Sequence, residues 1–281
     1  DNESVNFEEN ASLAGAAICA DHDSTVTLSN NQNVTFRSNS ARTDRGGAIY
    51  INGVLDITNN GCVEFVANSS RTENPQGYVG TMGGGAIYGF SHAGPASVIN
   101  LSDNDAVYFT GNSAYSANGS AYGGAINSAR CVTIRNNGFV QFEKNVEKSD
   151  SSYLLRSVYI VGNNVLSLSA PENQGIFFYD SIYADSTTTV NINENYGDLE
   201  QRGDIVFSGE YTEAHLNEIL AADGVGRTAT AEEIQNSRTS EVNTMTNLYG
   251  GRLRVEEGAI YQGFGITAME GSASAVYVKN A

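Results

Sequence analysis

The sequence predicts an all-β fold, a right-handed parallel β-helix with a short helical insertion near 212–238. Three observations carry that prediction. The phrase Val-x-Phe-x-x-Asn recurs as VNFEEN (5–10), VTFRSN (34–39), VEFVAN (63–68), VYFTGN (107–112) and VQFEKN (140–145). Copies are spaced on a base period of 29 residues. Each full copy also holds three short alternating apolar stretches, as strands with one buried face require.

The first element is the aliphatic pair that precedes the Phe by ten and eight residues: Val26/Leu28, Leu55/Ile57, Ile99/Leu101 and Val132/Ile134. An amide or acid pair follows as a turn, at Asp1-Asn2, Asn30-Asn31, Asn59-Asn60, Asp103-Asn104 and Asn136-Asn137. Asn and Gly tolerate the positive φ that tight turns demand. Next comes Val-x-Phe, and Gly-Gly-Ala-Ile opens the third stretch. Looser copies place Phe178 and Phe207 in register, so that origins fall at 7, 36, 65, 109, 142, 178 and 207. Stacked about 4.8 Å apart, such rungs line up their Val, Phe, Leu and Ile as columns, a core that one rung cannot bury alone. The Asn after each Phe is expected to turn the chain and to join a ladder of side-chain amides. Gly-Gly is expected at a tight corner with little room for a Cβ.

The distance from Phe to Gly-Gly varies: 36 to 46, 65 to 84 and 109 to 123. The variation falls at one corner, so stacking should gather loops 69–83 and 113–122 on one edge. Loops so gathered are where a solenoid builds a binding surface. They carry Arg71, Tyr78, Met82, Tyr115 and Tyr122, and Tyr and Arg favour recognition. Decoration without a partner is the competing reading. The repeat residues themselves (Phe36, Asn39, Gly46, Gly47, Phe65, Asn68, Gly84, Gly85, Phe109, Asn112, Gly123, Gly124, Phe142 and Asn145) are either scaffold alone or scaffold that also binds.

After Phe207 the pattern breaks. Residues 210–224 place Leu216, Ile219 and Leu220 on one helical face, with Thr212 as N-cap and Gly224 at the end, and Thr230/Glu233 form a capping box before a second helix. Alternation resumes at 249–263 and runs to 275–279. The organisation read is one passenger domain over 1–281, a fragment, with FxxN/GGAI rungs over 1–207, a helical excursion over 208–248 and further rungs over 249–281.

Composition sets limits on function. Fifteen Lys and Arg face 32 Asp and Glu, a net charge of −17. No cationic run follows a phosphate backbone, so nucleic acid is not an expected partner. Cys19, Cys62 and Cys131 form no disulfide scaffold and read as buried packing thiols. No apolar stretch reaches the roughly 18 residues of a membrane span. An enzyme of β-helix type would need convergent carboxylates with Ca²⁺ or acid–base roles. Asp21-His22-Asp23 does not recur in later rungs, His92 and His215 read as uninvolved surface residues, and motifs for metals, nucleotides or a nucleophilic Ser are lacking. The expectation is no enzyme, no catalytic residue, no metal and no cofactor. Arg202-Gly203-Asp204 spells an integrin-binding tripeptide, but the strand-like Ile205-Val206-Phe207 follows it directly, which places it at the start of a strand instead of on a projecting loop.

The paired motifs FxxN (Phe7–Asn10, Phe36–Asn39, Phe65–Asn68, Phe109–Asn112, Phe142–Asn145) and GGAI (Gly46–Ile49, Gly84–Ile87, Gly123–Ile126, with GAAI at Gly15–Ile18) resemble the repeats of chlamydial-type polymorphic outer-membrane proteins. The segments 176–182, 204–210 and 250–260 resemble the stretch that follows those repeats. The resemblance implies a type V autotransporter passenger displayed at the bacterial cell surface or outer membrane, or secreted after cleavage. It implies an adhesin whose partner is a host-cell surface protein or glycan, with a role in virulence, and it implicates the two motifs in adhesion. Membrane attachment is expected only through a C-terminal barrel that this sequence does not contain. Many family members are rich in cysteine and this chain is not. A carbohydrate-active β-helix enzyme and a non-binding spacer are the alternative readings; receptor and oligomeric state are left open.

Overall fold

The computed structural model describes residues 2–72, 82–90, 98–117, 121–194, 201–269 and 274–279. Apart from one antiparallel pair, its strands run parallel, pairing with their counterparts in neighbouring repeats in a β-helix-like coil. Nine strands form one ladder in chain order: Ser4–Glu8, Asn33–Arg37, Cys62–Val66, Ala106–Thr110, Phe139–Glu143, Gly175–Phe178, Asp204–Ser208, Gly251–Glu256 and Ser274–Lys279. The register is residue for residue: Val5 sits beside Val34, then Val63, Val107 and Val140, and Phe7 beside Phe36, Phe65, Phe109 and Phe142. Alternation sends the Val and Phe of each strand inward. The seven Phe rings at the positions read from sequence form one continuous stack, with centroids 4.7–5.0 Å apart and planes within 8°. Each stacked pair contributes roughly 0.5–1.5 kcal/mol beyond the burial of its area.

The remaining two faces differ from the sequence expectation. The Gly-Ala-Ile stretch and the aliphatic pair belong to one face, and early rungs make them a single long strand, Ile18–Ser29 and Ile49–Thr58. The third face begins immediately after FxxN, in Ala11–Ala14, Ser40–Arg45, Ser69–Thr72, Ser113–Ser116 and Val146–Lys148. Two of them, Ser69–Thr72 and Ser113–Ser116, fall within the stretches expected as loops. These two are short and polar and give no strand signal of their own, and pairing with neighbouring rungs makes each a strand.

This corner face ends at Val146–Lys148, which pairs antiparallel with Tyr153–Ile160. Two helices then cover it: α1, Thr212–Ala222, and α2, Ala231–Arg238. Leu216 and Leu220 are buried against Val146, Tyr153 and Leu155, and Ile219 packs on them. The capping box at Thr230/Glu233 is present, and Glu233 also accepts from the Tyr153 amide. Thr212 does not cap α1: Tyr211 is the N-cap, and Thr212 is buried as the first helical residue. At the other end Gly224, at φ +74°, donates to Ala221 and Val225 donates to Leu220, a Schellman closure. The excursion is shorter than the stretch 208–248 read for it, because Thr239–Leu248 is already a strand of the long face.

Candidate functional site: the variable corner and the amide ladders

Two amide ladders run along the coil. At the FxxN corner Asn10, Asn39, Asn68, Asn112 and Asn145 each donate both backbone N–H and Nδ2 to the side-chain oxygen of the next rung, at 2.8–3.2 Å. The Nδ2 of Asn39, Asn68, Asn112 and Asn145 also reaches a Phe carbonyl in the preceding rung, at 2.9 Å. The expected ladder exists, but the turn itself is made by the preceding residue. Glu9, Ser38, Ala67 and Lys144 take φ of 53–59°, which frees Asn to point inward. A second ladder, not foreseen, links Asn2, Asn31, Asn60, Asn104 and Asn137 through the same paired donors. There the first member of each pair turns the chain: Asn30, Asn59, Asp103 and Asn136 all have positive φ.

The first ladder ends on a carboxylate. Asp180 Oδ2 accepts from the Asn145 backbone N–H, from Asn145 Nδ2 and from Ser157 Oγ. Burial pushes its pKa up to about 6, against the lowering effect of those bonds. At the Gly-Gly corner Gly84 has φ +65°, and a Cβ on Gly85 would lie 2.0 Å from the Gly124 carbonyl oxygen. Rungs therefore meet there backbone to backbone.

These facts place the repeat residues. Phe36, Phe65, Phe109 and Phe142, with Asn39, Asn68, Asn112 and Asn145, are 0% exposed. Gly46, Gly47, Gly84, Gly85, Gly123 and Gly124 are buried at the corner. Their side chains are committed to the coil.

The loop candidates divide. Ser69–Thr72 pairs with Ser113–Ser116, and Met82–Gly83 with Ala121–Tyr122, so the roots of both insertions adjoin as expected. Arg71 is exposed and lies opposite Tyr115 in register, its guanidinium 4.9 Å from the ring centroid. Tyr115 donates its hydroxyl to Asp150. Tyr122 stacks on Tyr159 at 4.4 Å and Tyr159 on Tyr183 at 4.6 Å, with Arg156 over the last ring. Met82 is 5% exposed, so it offers no loop surface. Tyr78 lies outside the described residues, as does His92.

Other expectations change. His215 is buried, not on the surface: Nε2 lies 3.2 Å from Glu143 Oε1, Tyr211 packs on the ring, and burial lowers its pKa. Cys19 is exposed and Cys62 and Cys131 are half-exposed, because strand alternation turns Val63 and Phe65 inward and Cys62 outward. Asp204 of the RGD tripeptide is the first residue of a strand and nearly buried, held by Arg252 and Arg254, so the three residues form no projecting loop. Sequence reasoning also missed a buried ion cluster, in which Arg156 bridges Glu147 and Glu241 while the Gly123 amide donates to Glu147. Burial raises the Glu147 pKa to about 7 although Arg156 opposes it. No sequence signal marks that cluster, since its members come from three separated strands and the sites differ from rung to rung.

Residues 33–52 match the model of the Chlamydia polymorphic membrane protein (Chlamydia_PMP) repeat. The probable outer membrane protein pmp7 of Chlamydia pneumoniae is 28% identical over 227 residues, which is 75% of this chain and 19% of that protein. The chain thus spans about a fifth of the length of the curated relative it matches. No solved structure matches it. The rung that matches the Chlamydia polymorphic membrane protein repeat holds Phe36 of the stack and Asn39 of the ladder, so the repeats that build this coil are similar to those of that family.

Proposed function

We propose that this chain is the surface-exposed passenger segment of an autotransporter, a right-handed β-helical rod that acts as an adhesin and not as an enzyme. The relative's name places that protein in an outer membrane, which supports display at the bacterial surface. One observation carries the adhesive reading: the insertions of different length spring from adjacent strands of a single corner, where Arg71 and Tyr115 already lie together. The motifs that repeat are sealed inside, so contact with a host protein or glycan falls to the residues that vary between rungs. Many weak contacts along a rigid rod, multiplied by many copies on one cell, give avidity without a deep pocket.

The test is saturable binding of the purified, labelled chain to epithelial cells with unlabelled chain as competitor. Deleting 73–81 and 118–120 leaves the paired strands in place and is expected to abolish saturation. Saturation that survives both deletions moves adhesion away from this corner. Absence of saturable binding at micromolar concentration leaves the spacer reading, and release of reducing ends from added polysaccharide leaves the enzyme.

A further inference from the structure

The outer face of the Phe ladder holds a second surface that owes nothing to the variable corner. Outward-facing positions of successive strands carry Tyr108, Phe139 and Phe177, with Phe139 and Phe177 centroids 5.2 Å apart and planes 27° from parallel. Phe139 lies beside Gly175 in register, and a Cβ on Gly175 would come within 2.7 Å of the Phe177 ring. The ring therefore lies across the glycine backbone, and a trough of about 750 Å³ opens over Phe139 and Phe177. Phe177 also walls a second hollow of about 460 Å³ toward Arg254 and Lys279.

The rim of this trough is held in place. Asp204, nearly buried, accepts from Arg252 Nε at 2.6 Å and from a terminal Arg252 nitrogen at 2.9 Å, while Arg252 itself remains 60% exposed. A fork fixed from below keeps its other N–H donors directed at solvent at little cost in side-chain entropy. Exposed Glu172 and Gln174 complete the rim. Charges alternate: Glu172 and Asp204 set against Arg202 and Arg252 leave the trough near neutral on a chain of net charge −17.

We infer that this trough binds a neutral oligosaccharide. A pyranose has one face of C–H groups, suited to an aromatic ring, and an equator of hydroxyls, suited to planar amides, carboxylates and a fixed guanidinium. Rings repeated at the spacing of one rung also suit a ligand that is itself a chain of flat units. A polyanion is disfavoured by the balanced charge. A peptide adding as a strand is excluded at this face, because Gly175–Phe178 is paired on both sides.

The experiment is saturation-transfer NMR on the purified chain with lacto-N-tetraose, cellotetraose and maltotetraose, and with a heparin-derived tetrasaccharide for comparison. At least one neutral probe is expected to bind, and Phe177→Ala to weaken it about tenfold with unchanged circular dichroism. Should that variant lose its fold, Gln174→Ala, on the exposed rim, is expected to weaken the same probe. No neutral binding, binding of heparin alone, or neutral binding untouched by the variants overturns the assignment. The assay uses no cells, so its failure leaves adhesion through the corner standing, and failure of cell binding leaves the trough standing.

Discussion

Replacing Asn68 by Ala tests the amide ladder where it is most enclosed. The side chain of Asn68 accepts from the Asn39 backbone N–H at 3.1 Å and from Asn39 Nδ2 at 2.9 Å, and it donates to Asn112 Oδ1 at 3.0 Å and to the Phe36 carbonyl at 2.9 Å. Truncation removes all four bonds and leaves the buried Asn39 N–H without its acceptor. With a net value of about 1 kcal/mol per bond and 1–3 kcal/mol for a buried orphan, the loss is about 5–7 kcal/mol. That is comparable with the whole stability of an ordinary domain. Asn10 is the internal control: it is exposed, and its side chain donates only to Asn39 Oδ1. Asn10→Ala is expected to cost about 1 kcal/mol. Urea unfolding followed by circular dichroism ranks the two variants. Hydrogen exchange then shows whether the loss spreads along the coil, since rungs support only their neighbours. Equal costs for the two, within about 0.5 kcal/mol, would refute the buried ladder as a source of stability.

Asp180 gives a pH prediction. Its folded pKa is raised, so the native state holds the proton more tightly and stability falls as pH rises from the usual carboxylate range through about 6. The decline attributable to this group is on the order of 3 kcal/mol. Urea midpoints of Asp180→Asn, which preserves an acceptor for Asn145, should show a shallower slope between pH 4 and 7 than the parent. Glu233 acts in the opposite sense: chiefly the Arg227 hydrogen bonds hold its pKa down to about 2, and its support is lost only as pH falls toward that value. Glu233→Ala removes the acceptor of Tyr153 N–H and the Thr230 box, costing about 3 kcal/mol. Hydrogen exchange should rise in α1 and α2 while the Phe ladder stays protected. At the Gly-Gly corner, Gly85→Ala forces a Cβ into the Gly124 carbonyl and should yield insoluble protein. Gly111→Ala, with nothing within 4 Å, should stay folded and lose about 1 kcal/mol for its positive φ.

Legibility followed repetition. Phe at 7, 36, 65, 109, 142, 178 and 207 announced a column because a period confers significance on residues that singly mean little, and the stack contains all of them. The Asn ladder was legible for the same reason. The corner face was not: Ser40–Arg45 and Ser69–Thr72 are polar and short, and only pairing across rungs makes them strands. Asp180 was hidden by register. It stands two residues after Phe178, whereas Asn145 stands three after Phe142, so the last acceptor of the ladder falls outside the FxxN spacing. The Arg156 cluster and the trough over Phe177 arise once each, from strands far apart in sequence, and a period cannot reveal what does not repeat.

The same division bears on function. A side chain that stacks or bonds to its copy above and below is held on both sides, and changing it disturbs two neighbours at once. Asn68 illustrates the constraint, with four bonds to the two neighbouring rungs. Arg71 and Tyr122 also contact the next rung, through the Tyr115 and Tyr159 rings, but they belong to neither the Phe stack nor the Asn ladders and can differ from rung to rung without disturbing those columns. The coil therefore separates its tasks by strand position: inward positions of each rung maintain the rod, while corner insertions and outward positions are left to meet other molecules. If adhesion instead required the FxxN or GGAI side chains directly, the rod would have to open at a rung to present them. Crosslinking adjacent rungs would then abolish cell binding while leaving the fold intact. Full binding by a crosslinked rod is the expected result, because the surfaces proposed here lie outside the coil.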